Sequence, residues 1–193
     1  MGVRVESESR QTSVTQWLQR ARDGDPQALD AAFSAVYAEL KRAAHLQLRR
    51  GRNTINTTGL VHEAWMKLAM GATLSIADRN HLLGLSARAM RQVLVDRARV
   101  AQARKRGDGL PPMTLTASMG VAGESAAVVE VLALDQMLET LQKFDPRAAQ
   151  IVELRYFGGY EEKEIADMLQ VNERTVRRDW RKARAFLLAE LQA

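Results

Sequence analysis

The sequence has 193 residues, enough for one ordinary domain or two small ones, and 46% of them are hydrophobic. Aromatic residues make up only 5%, which together with few glycines and prolines favours an all-α protein over a sheet protein. The chain has no cysteine, which excludes disulfides and thiolate metal sites, and its net charge of +5 suits a polyanionic partner.

The N-terminal end predicts no targeting segment. Residues 1–12 are polar, without the apolar core of a signal peptide, and we expect them to be disordered. Nowhere do about eighteen apolar residues run together, as a membrane-spanning helix requires. We therefore expect a soluble, cytoplasmic protein that has no membrane partner.

Four helices are predicted in the first half of the chain. A short helix over 13–22 is followed by a longer one that begins at Asp25-Pro26, with Asp25 as its cap and Pro26 at its first position. A third helix covers 59–69, after the cap-competent residues Asn56, Thr57 and Thr58. The fourth begins near Asp78 and runs to about Arg106.

A linker separates this half from the next. Residues 107–127 contain a Pro-Pro pair and several glycines and carry almost no charge. Beyond them we predict a helix over 129–141 and another capped by Asp145-Pro146, which the glycine pair at 158–159 ends. The chain is thus predicted to form two small helical domains, 13–106 and 128–193, joined by a flexible linker.

Residues 160–186 predict a helix-turn-helix in the C-terminal domain. Gln170 to Asn172 form the turn, and the Asn172 side chain can cap the second helix. In that helix an apolar stripe steps by four, three and four: Val176, Trp180, Ala183, Leu187. The remaining face is cationic and suits the major groove of DNA; it consists of Arg174, Arg177, Arg178, Arg181, Lys182 and Arg184.

The charge on this exposed face is almost entirely positive. A solvated surface helix usually mixes acids and bases, yet Asp179 is the single acid between Arg174 and Arg184. We therefore interpret the face as a nucleic-acid contact. A second group of cations ends the fourth helix, where either complementing the helix dipole or binding DNA explains it; it consists of Arg97, Arg99, Arg104, Lys105 and Arg106.

Catalytic chemistry has no visible basis in the sequence. The three histidines, His45, His62 and His81, stand on different predicted helices without metal-ligand spacing. The phosphate-binding glycine motifs and the nucleophile elbow are also missing. We expect neither an enzyme nor a cofactor.

Three segments in a fixed order resemble a bacterial RNA polymerase sigma factor of the extracytoplasmic-function (ECF) type. They are GLVHEAWMKL at 59–68, SARAMRQVLVDRARVAQARKRG at 86–107, and the segment 145–187 that contains the helix-turn-helix. The resemblance implies a region 2-like domain over 13–106, which binds core polymerase and the promoter −10 element. It also implies a region 4-like domain over 128–193, which reads the −35 element.

The resemblance assigns residues to each contact. Those at or behind the contact with the clamp of the polymerase β′ subunit are Leu60, Val61, Glu63, Trp65 and Leu68, of which Trp65 is equally well explained as pure core. Those at the −10 element are Arg79, Asn80, Arg91, Arg97 and Arg99. Those at the −35 element are Arg174, Thr175, Arg177, Arg178, Arg181 and Lys182.

Two other classes of protein remain as alternatives. A dimeric helix-turn-helix repressor or activator explains the C-terminal domain but leaves the helix of Trp65 without a role. A polymerase-independent RNA-binding or scaffold protein explains the charge but not the turn. Core polymerase and promoter DNA are the partners that the resemblance implies, with an anti-sigma factor as a further candidate.

The chain departs from the family pattern before the third helix. ECF factors usually carry acids there, whereas this sequence has Asn56, Thr57, Thr58 and Gly59. Either the remaining contacts suffice, with Glu63 and Glu39 supplying the negative charge, or a Ser/Thr protein kinase phosphorylates Thr57 or Thr58. A phosphate at a helix N-terminus is electrostatically favourable and would restore the acidic surface.

Overall fold

The structure is a computed structural model that describes residues 13–49, 55–70, 76–107 and 124–192. The described residues form eight α-helices and no strand, which confirms the all-α prediction. The expected disorder of 1–12 and most of the predicted linker lie outside them. The helices are α1 (13–22), α2 (Ala28–Leu48), α3 (Thr57–Met70), α4 (Arg79–Gly107), α5 (Glu124–Phe144), α6 (Pro146–Tyr156), α7 (Glu162–Leu169) and α8 (Glu173–Gln192).

Side-chain caps fix where several helices begin. The Asp78 carboxylate accepts a hydrogen bond from the His81 amide at 2.8 Å, and Asp145 accepts one from the Ala148 amide at 3.0 Å. These bonds satisfy amides that have no partner within the helix. The predicted starts of α4 and α6 therefore match the structure closely.

Several boundaries differ from the prediction, among them both ends of α3, predicted over 59–69 and observed as Thr57–Met70. Asp25 accepts a hydrogen bond from the Gln27 amide at 3.0 Å, but this bond closes a turn, and α2 begins only at Ala28. Helix α5 begins at Glu124, so the last four residues of the predicted linker, 124–127, are helical. The linker was predicted too long because its proline and glycine residues end at Gly123, and good helix formers follow.

The helices pack around one continuous apolar cluster. In the first half α2, α3 and α4 bury Val36, Leu60, Leu82 and Met90 among others. In the second half α5 to α8 bury Leu138, Ile151, Ile165 and Val176, and both sets belong to the same cluster. Helix α4 packs against α5, α6 and α7. The described parts of the two predicted domains are therefore in contact with each other.

Within the described residues, no helix combines the length and the apolar character that crossing a membrane requires.

Candidate nucleic-acid and polymerase interfaces

Helices α7 and α8 are joined by the three-residue turn 170–172. Gln170 adopts a left-handed conformation with φ of 53°, and the Asn172 side chain accepts a hydrogen bond from the Arg174 amide at 2.8 Å. The turn and the capped start of α8 lie where the sequence predicted them. Val176 and Ala183 are fully buried, and Trp180 and Leu187 are half-buried, so the apolar stripe faces the interior.

All the cations assigned to the −35 element are exposed on α8. Arg177 donates to Glu162 at 2.7 Å and to Glu173 at 3.1 Å, and the hydrogen bond to Glu162 raises the pKa of the Arg177 guanidinium. By contrast, Arg174, Arg181 and Lys182 make no ion pair with any residue that the structure describes. These three cations are available to a polyanion without first breaking an internal contact.

Asp179 is a buried anion, a role that the sequence analysis did not predict. Its side chain is only 1% exposed, and it accepts hydrogen bonds from Arg147 at 2.7 Å and from Arg178 at 3.0 Å. Burial raises the pKa of this carboxyl, but the two arginines outweigh that effect and hold the pKa below its ordinary value. Asp179 thus anchors α8 to α6. Its spacing of three from Val176 and four from Ala183 already placed it on the buried stripe.

Helix α3 exposes two large apolar side chains among polar ones. The residues assigned to polymerase differ in how exposed they are. Leu60 and Val61 are buried in the core, whereas Leu68 is half-buried. The outer face carries Met66 and Met70, the latter 84% exposed. Leu60 and Val61 can therefore only support a contact from behind, and the two methionines are surface residues that the sequence reading missed.

An aromatic stack joins α3 to α2. The Trp65 ring lies on the Phe33 ring of α2 with centroids 4.2 Å apart and planes 20° from parallel. Tyr37 packs edge-on against Phe33 at 5.7 Å. Trp65 is half-buried, so it contributes both to the core and to the surface.

Glu63 links α3 to α4. Its carboxylate accepts two hydrogen bonds from Arg97, one of them from Nε at 3.2 Å. The hydrogen bond with Glu63 raises the pKa of Arg97. A residue assigned to polymerase is therefore paired with a residue assigned to the −10 element.

The other residues assigned to the −10 element are also engaged within the molecule. Arg79 pairs with Glu39 of α2, and Asn80 donates to the Asp167 carbonyl at a long 3.5 Å. Arg91 pairs with Asp135 of α5 and Glu153 of α6, and Arg99 also reaches Asp135. The structure thus brings Arg91 and Arg99 together, but on carboxylates of the second half.

We call Arg91, Arg99, Asp135 and Glu153 the Arg91 cluster. Arg91 donates to the Asp135 carboxylate at 2.9 Å, to the Asp135 carbonyl at 3.2 Å and to Glu153 at 3.0 Å. Its side chain is 15% exposed. Charge-assisted hydrogen bonds of this kind are among the stronger polar contacts in proteins. The sequence reading missed both acids because they lie 44 and 62 residues from Arg91.

Thr57 and Thr58 form the first turn of α3. Thr58 is exposed and Thr57 half-buried, and the cap of the helix is Asn56, which accepts a hydrogen bond from the Gly59 amide at 2.8 Å. The first turn of α3 contains no acidic residue. Glu39 and Glu63, the two acids predicted to supply the negative charge, pair with Arg79 and Arg97.

Among the described residues, no group of histidine and carboxylate side chains is arranged to hold a metal ion. What the site residues offer is charge and hydrogen-bond donors. Exposed cations follow a capped turn at the start of α8, and α3 exposes two methionines. The fold is thus an all-helical one whose surface carries candidate contacts for a polyanion and for a protein.

The sequence model of the ECF sigma factor family matches residues 11–193. The chain therefore belongs to the ECF sigma factor family, a family of transcription initiation factors and not of enzymes. Factors of this family bind core RNA polymerase and promoter DNA, and often anti-sigma factors. Comparisons with curated proteins and with solved structures found no match.

Proposed function

We propose that this protein binds core RNA polymerase and directs promoter-specific initiation by reading a −10 and a −35 element. The observation that carries the proposal is the set of exposed cations that follows the capped turn of α8, of which Arg174, Arg181 and Lys182 make no ion pair with a described residue. In such an arrangement the first turns of the helix meet base edges, and later cations meet phosphates. Arg174, Arg177 and Arg178 are assigned to bases, and Arg181 and Lys182 to phosphates.

The polymerase contact is assigned to the outer face of α3. Two exposed methionines, Met66 and Met70, give it adaptable apolar contacts, and the Trp65 ring stacks on Phe33 of α2 and so joins α3 to the core. Glu63 adds a carboxylate at its edge. The clamp of the β′ subunit is the partner that this surface would meet.

Transcription with purified components tests the proposal. The protein is added to core polymerase on fragmented genomic DNA, and transcript start sites are mapped. We expect starts at a defined set of promoters that share two sequence elements. The Arg174→Ala/Lys182→Ala double variant should lose them, whereas Glu190→Gln, an exposed change at the other end of α8, should not. Absence of specific starts, or dimeric DNA binding without polymerase, would favour the repressor alternative.

We also propose that phosphorylation of Thr57 or Thr58 activates polymerase binding. The support is electrostatic: the first turn of α3 has no acid, and Glu39 and Glu63 are already paired with arginines. A phosphate would add about −1.5 to −2 charges at a helix N-terminus, where the dipole favours anions. Thr58 is the more accessible acceptor because it is exposed.

A further inference from the structure

A cleft of about 620 Å³ runs along the first turns of α4, between that helix and helices α6 and α7. Its volume is in the range of sites that bind small molecules. Leu154 of α6 belongs to the continuous apolar cluster, and Leu85, Met168 and Leu169 pack against it, so the walls of the cleft are part of one packed body.

The lining along α4 changes from polar to apolar and back to polar. Asn80 and His81 line the cleft from the first turn of the helix, Gly84 and Leu85 from the second, and Arg88 from the third. Asn80 and Arg88 are about 12 Å apart along the helix, at about 1.5 Å per residue. A ligand that matches this lining has polar groups at both ends and an apolar body between them.

Arg88 is the cation that the cleft offers to a ligand. The other charged residues of the lining are engaged, since Asp78 caps α4, and Glu153 and Arg147 form ion pairs. Arg88 is exposed and makes no ion pair with any residue that the structure describes. A guanidinium binds phosphate oxygens through two parallel hydrogen bonds. The Arg88 end of the cleft therefore suits a phosphate group.

The opposite end of the lining offers a donor and an acceptor. His81 accepts a hydrogen bond at Nδ1 from the Ala77 amide at 3.1 Å, so the neutral ring carries its proton on Nε2. Asn80 donates only a long hydrogen bond of 3.5 Å and keeps its side-chain oxygen as an acceptor. Met168 and Leu169 add apolar surface. Such a combination binds a nucleobase by its edge and by its face.

Gly84 keeps the cleft open. Glycine is among the least favourable residues inside a helix, and α4 has one in its second turn. Packing does not require it, because a Cβ at Gly84 would meet only Leu154 Cδ2, at an ordinary contact distance of 3.9 Å. What the glycine provides is room between α4 and α6 at the centre of the cleft.

We propose that this cleft binds a nucleoside monophosphate. The phosphate pairs with Arg88, the sugar lies beside Gly84, and the base contacts Asn80, His81 and the apolar side chains of α7. The proposal goes beyond the proposed function and does not depend on it, because binding is a property of the chain without polymerase. A bound ligand stabilises the folded chain by mass action.

The first test measures binding to the full chain by calorimetry and by thermal unfolding. The probes are AMP, GMP, CMP and UMP. We expect at least one of them to bind with a Kd of about 1 mM or tighter. At ten times its Kd it should raise Tm by about 3–5 °C. No binding by any of the four overturns the proposal.

Two further probes separate a site from simple ion binding. The matching nucleoside and inorganic phosphate should each bind at least about tenfold more weakly than the nucleotide, because each lacks half of the contacts. Phosphate that binds as tightly as the nucleotide would mean an adventitious ion only at Arg88. That result would overturn the proposal.

The second test removes the free cation. Arg88→Gln should weaken nucleotide binding by about tenfold or more, since a charge-assisted pair is lost. Arg104→Gln is the matched control, because Arg104 is also exposed and lies about 24 Å further along α4. It should change the affinity by less than about twofold. Equal losses in both variants would show that net charge is responsible, and would contradict a site at Arg88.

The third test fills the cleft. Gly84→Leu should abolish nucleotide binding, whereas Gly84→Ala, which adds one methyl group, should keep the affinity within about twofold. Gly84→Ala should also raise Tm without ligand by about 2–4 °C, because alanine is the better helix former. A folded Gly84→Leu variant that binds like the parent overturns the proposal. If that variant does not fold, Arg88→Gln decides.

A competition experiment distinguishes a free nucleotide from a nucleotide within a DNA strand. The competitor is a single-stranded oligonucleotide of mixed sequence. If it displaces the nucleotide, and Arg88→Gln weakens both ligands alike, the cleft is a DNA site and the proposal is wrong. We expect Arg88→Gln to weaken the nucleotide alone. A chain that binds the nucleotide but neither binds polymerase nor transcribes would contradict only the proposed function.

Discussion

Arg147 of α6 donates from Nε to the Asp179 carboxylate of α8 at 2.7 Å, and so ties the candidate DNA-binding helix to the helix that begins at Asp145. Asp179 is buried, whereas Arg147 is half-exposed and Arg178, its second partner, is more exposed still. The anchor is therefore an acid held in place by two arginines at the surface. It adds to the apolar packing that holds α8 against α6 and α7.

Replacing Asp179 by Asn should destabilise the protein by about 1–3 kcal/mol, since the buried position loses charge-assisted bonds while its shape is kept. Chemical denaturation followed by circular dichroism measures the loss. Glu190→Gln, on the exposed end of the same helix, should change the free energy of unfolding by less than about 0.5 kcal/mol. Equal stability of Asp179→Asn and the parent would show that the anchor contributes nothing.

The same carboxylate predicts how stability depends on pH. The pKa of Asp179 is lower in the folded protein than its ordinary 3.8, so its contribution is complete above that value and is lost as pH falls through the folded pKa. The free energy of unfolding should decline between about pH 5 and about pH 2, and less steeply in Asp179→Asn. Parallel curves for the two proteins would contradict this account.

The cations of α8 should fall into two groups in promoter binding. Arg174→Ala should cost about 1–3 kcal/mol and relax the preference at one base position, whereas Lys182→Ala should weaken all sequences alike and reduce the salt dependence. Binding of the polymerase complex to a library of −35 variants, at several salt concentrations, measures both effects. If Arg174→Ala also acts uniformly on every sequence, α8 is not the reading helix.

The outer face of α3 should carry binding energy for polymerase. Met66→Glu/Met70→Glu should weaken binding to core enzyme by at least about tenfold, or about 1.4 kcal/mol, because charges would enter an apolar contact. Phe144→Glu makes the same kind of change at another exposed apolar residue and should leave the affinity nearly unchanged. Loss of binding in the Phe144 variant as well would point to a general effect of charge.

Thr57→Ala/Thr58→Ala should abolish transcription in cells if phosphorylation supplies the missing acids, while the purified variant folds normally. The Asn56 cap remains in place, so little helix stability is lost with the two hydroxyls. Thr58→Ala alone should produce most of the effect because Thr58 is exposed. A double variant that drives transcription as well as the parent would mean that the acids are dispensable.

The sequence by itself determined that the described helices form, where α4, α6 and α8 begin, and which side chains make up the α8 face. Asp78, Asp145 and Asn172 are capping residues whose effect is local, because each bonds an amide two or three residues away. The apolar stripe of α8 was readable for the same reason, since helical periodicity repeats within a few residues. Where the local sequence pattern predicted a helix boundary wrongly, as at the start of α5, the predicted boundary was only a few residues from the observed one.

Only the tertiary structure decided which cations are free and which are paired. Arg91 and Arg174 look alike in the sequence, yet Arg91 is held by acids that lie 44 and 62 residues further on, whereas Arg174 has no paired acid among the described residues. In the sequence Asp179 is a single acid in a basic helix. The structure shows that it accepts a hydrogen bond from Arg147, which lies 32 residues earlier in the chain. Contacts between residues so distant in the chain depend on how the helices pack, and no local pattern encodes them.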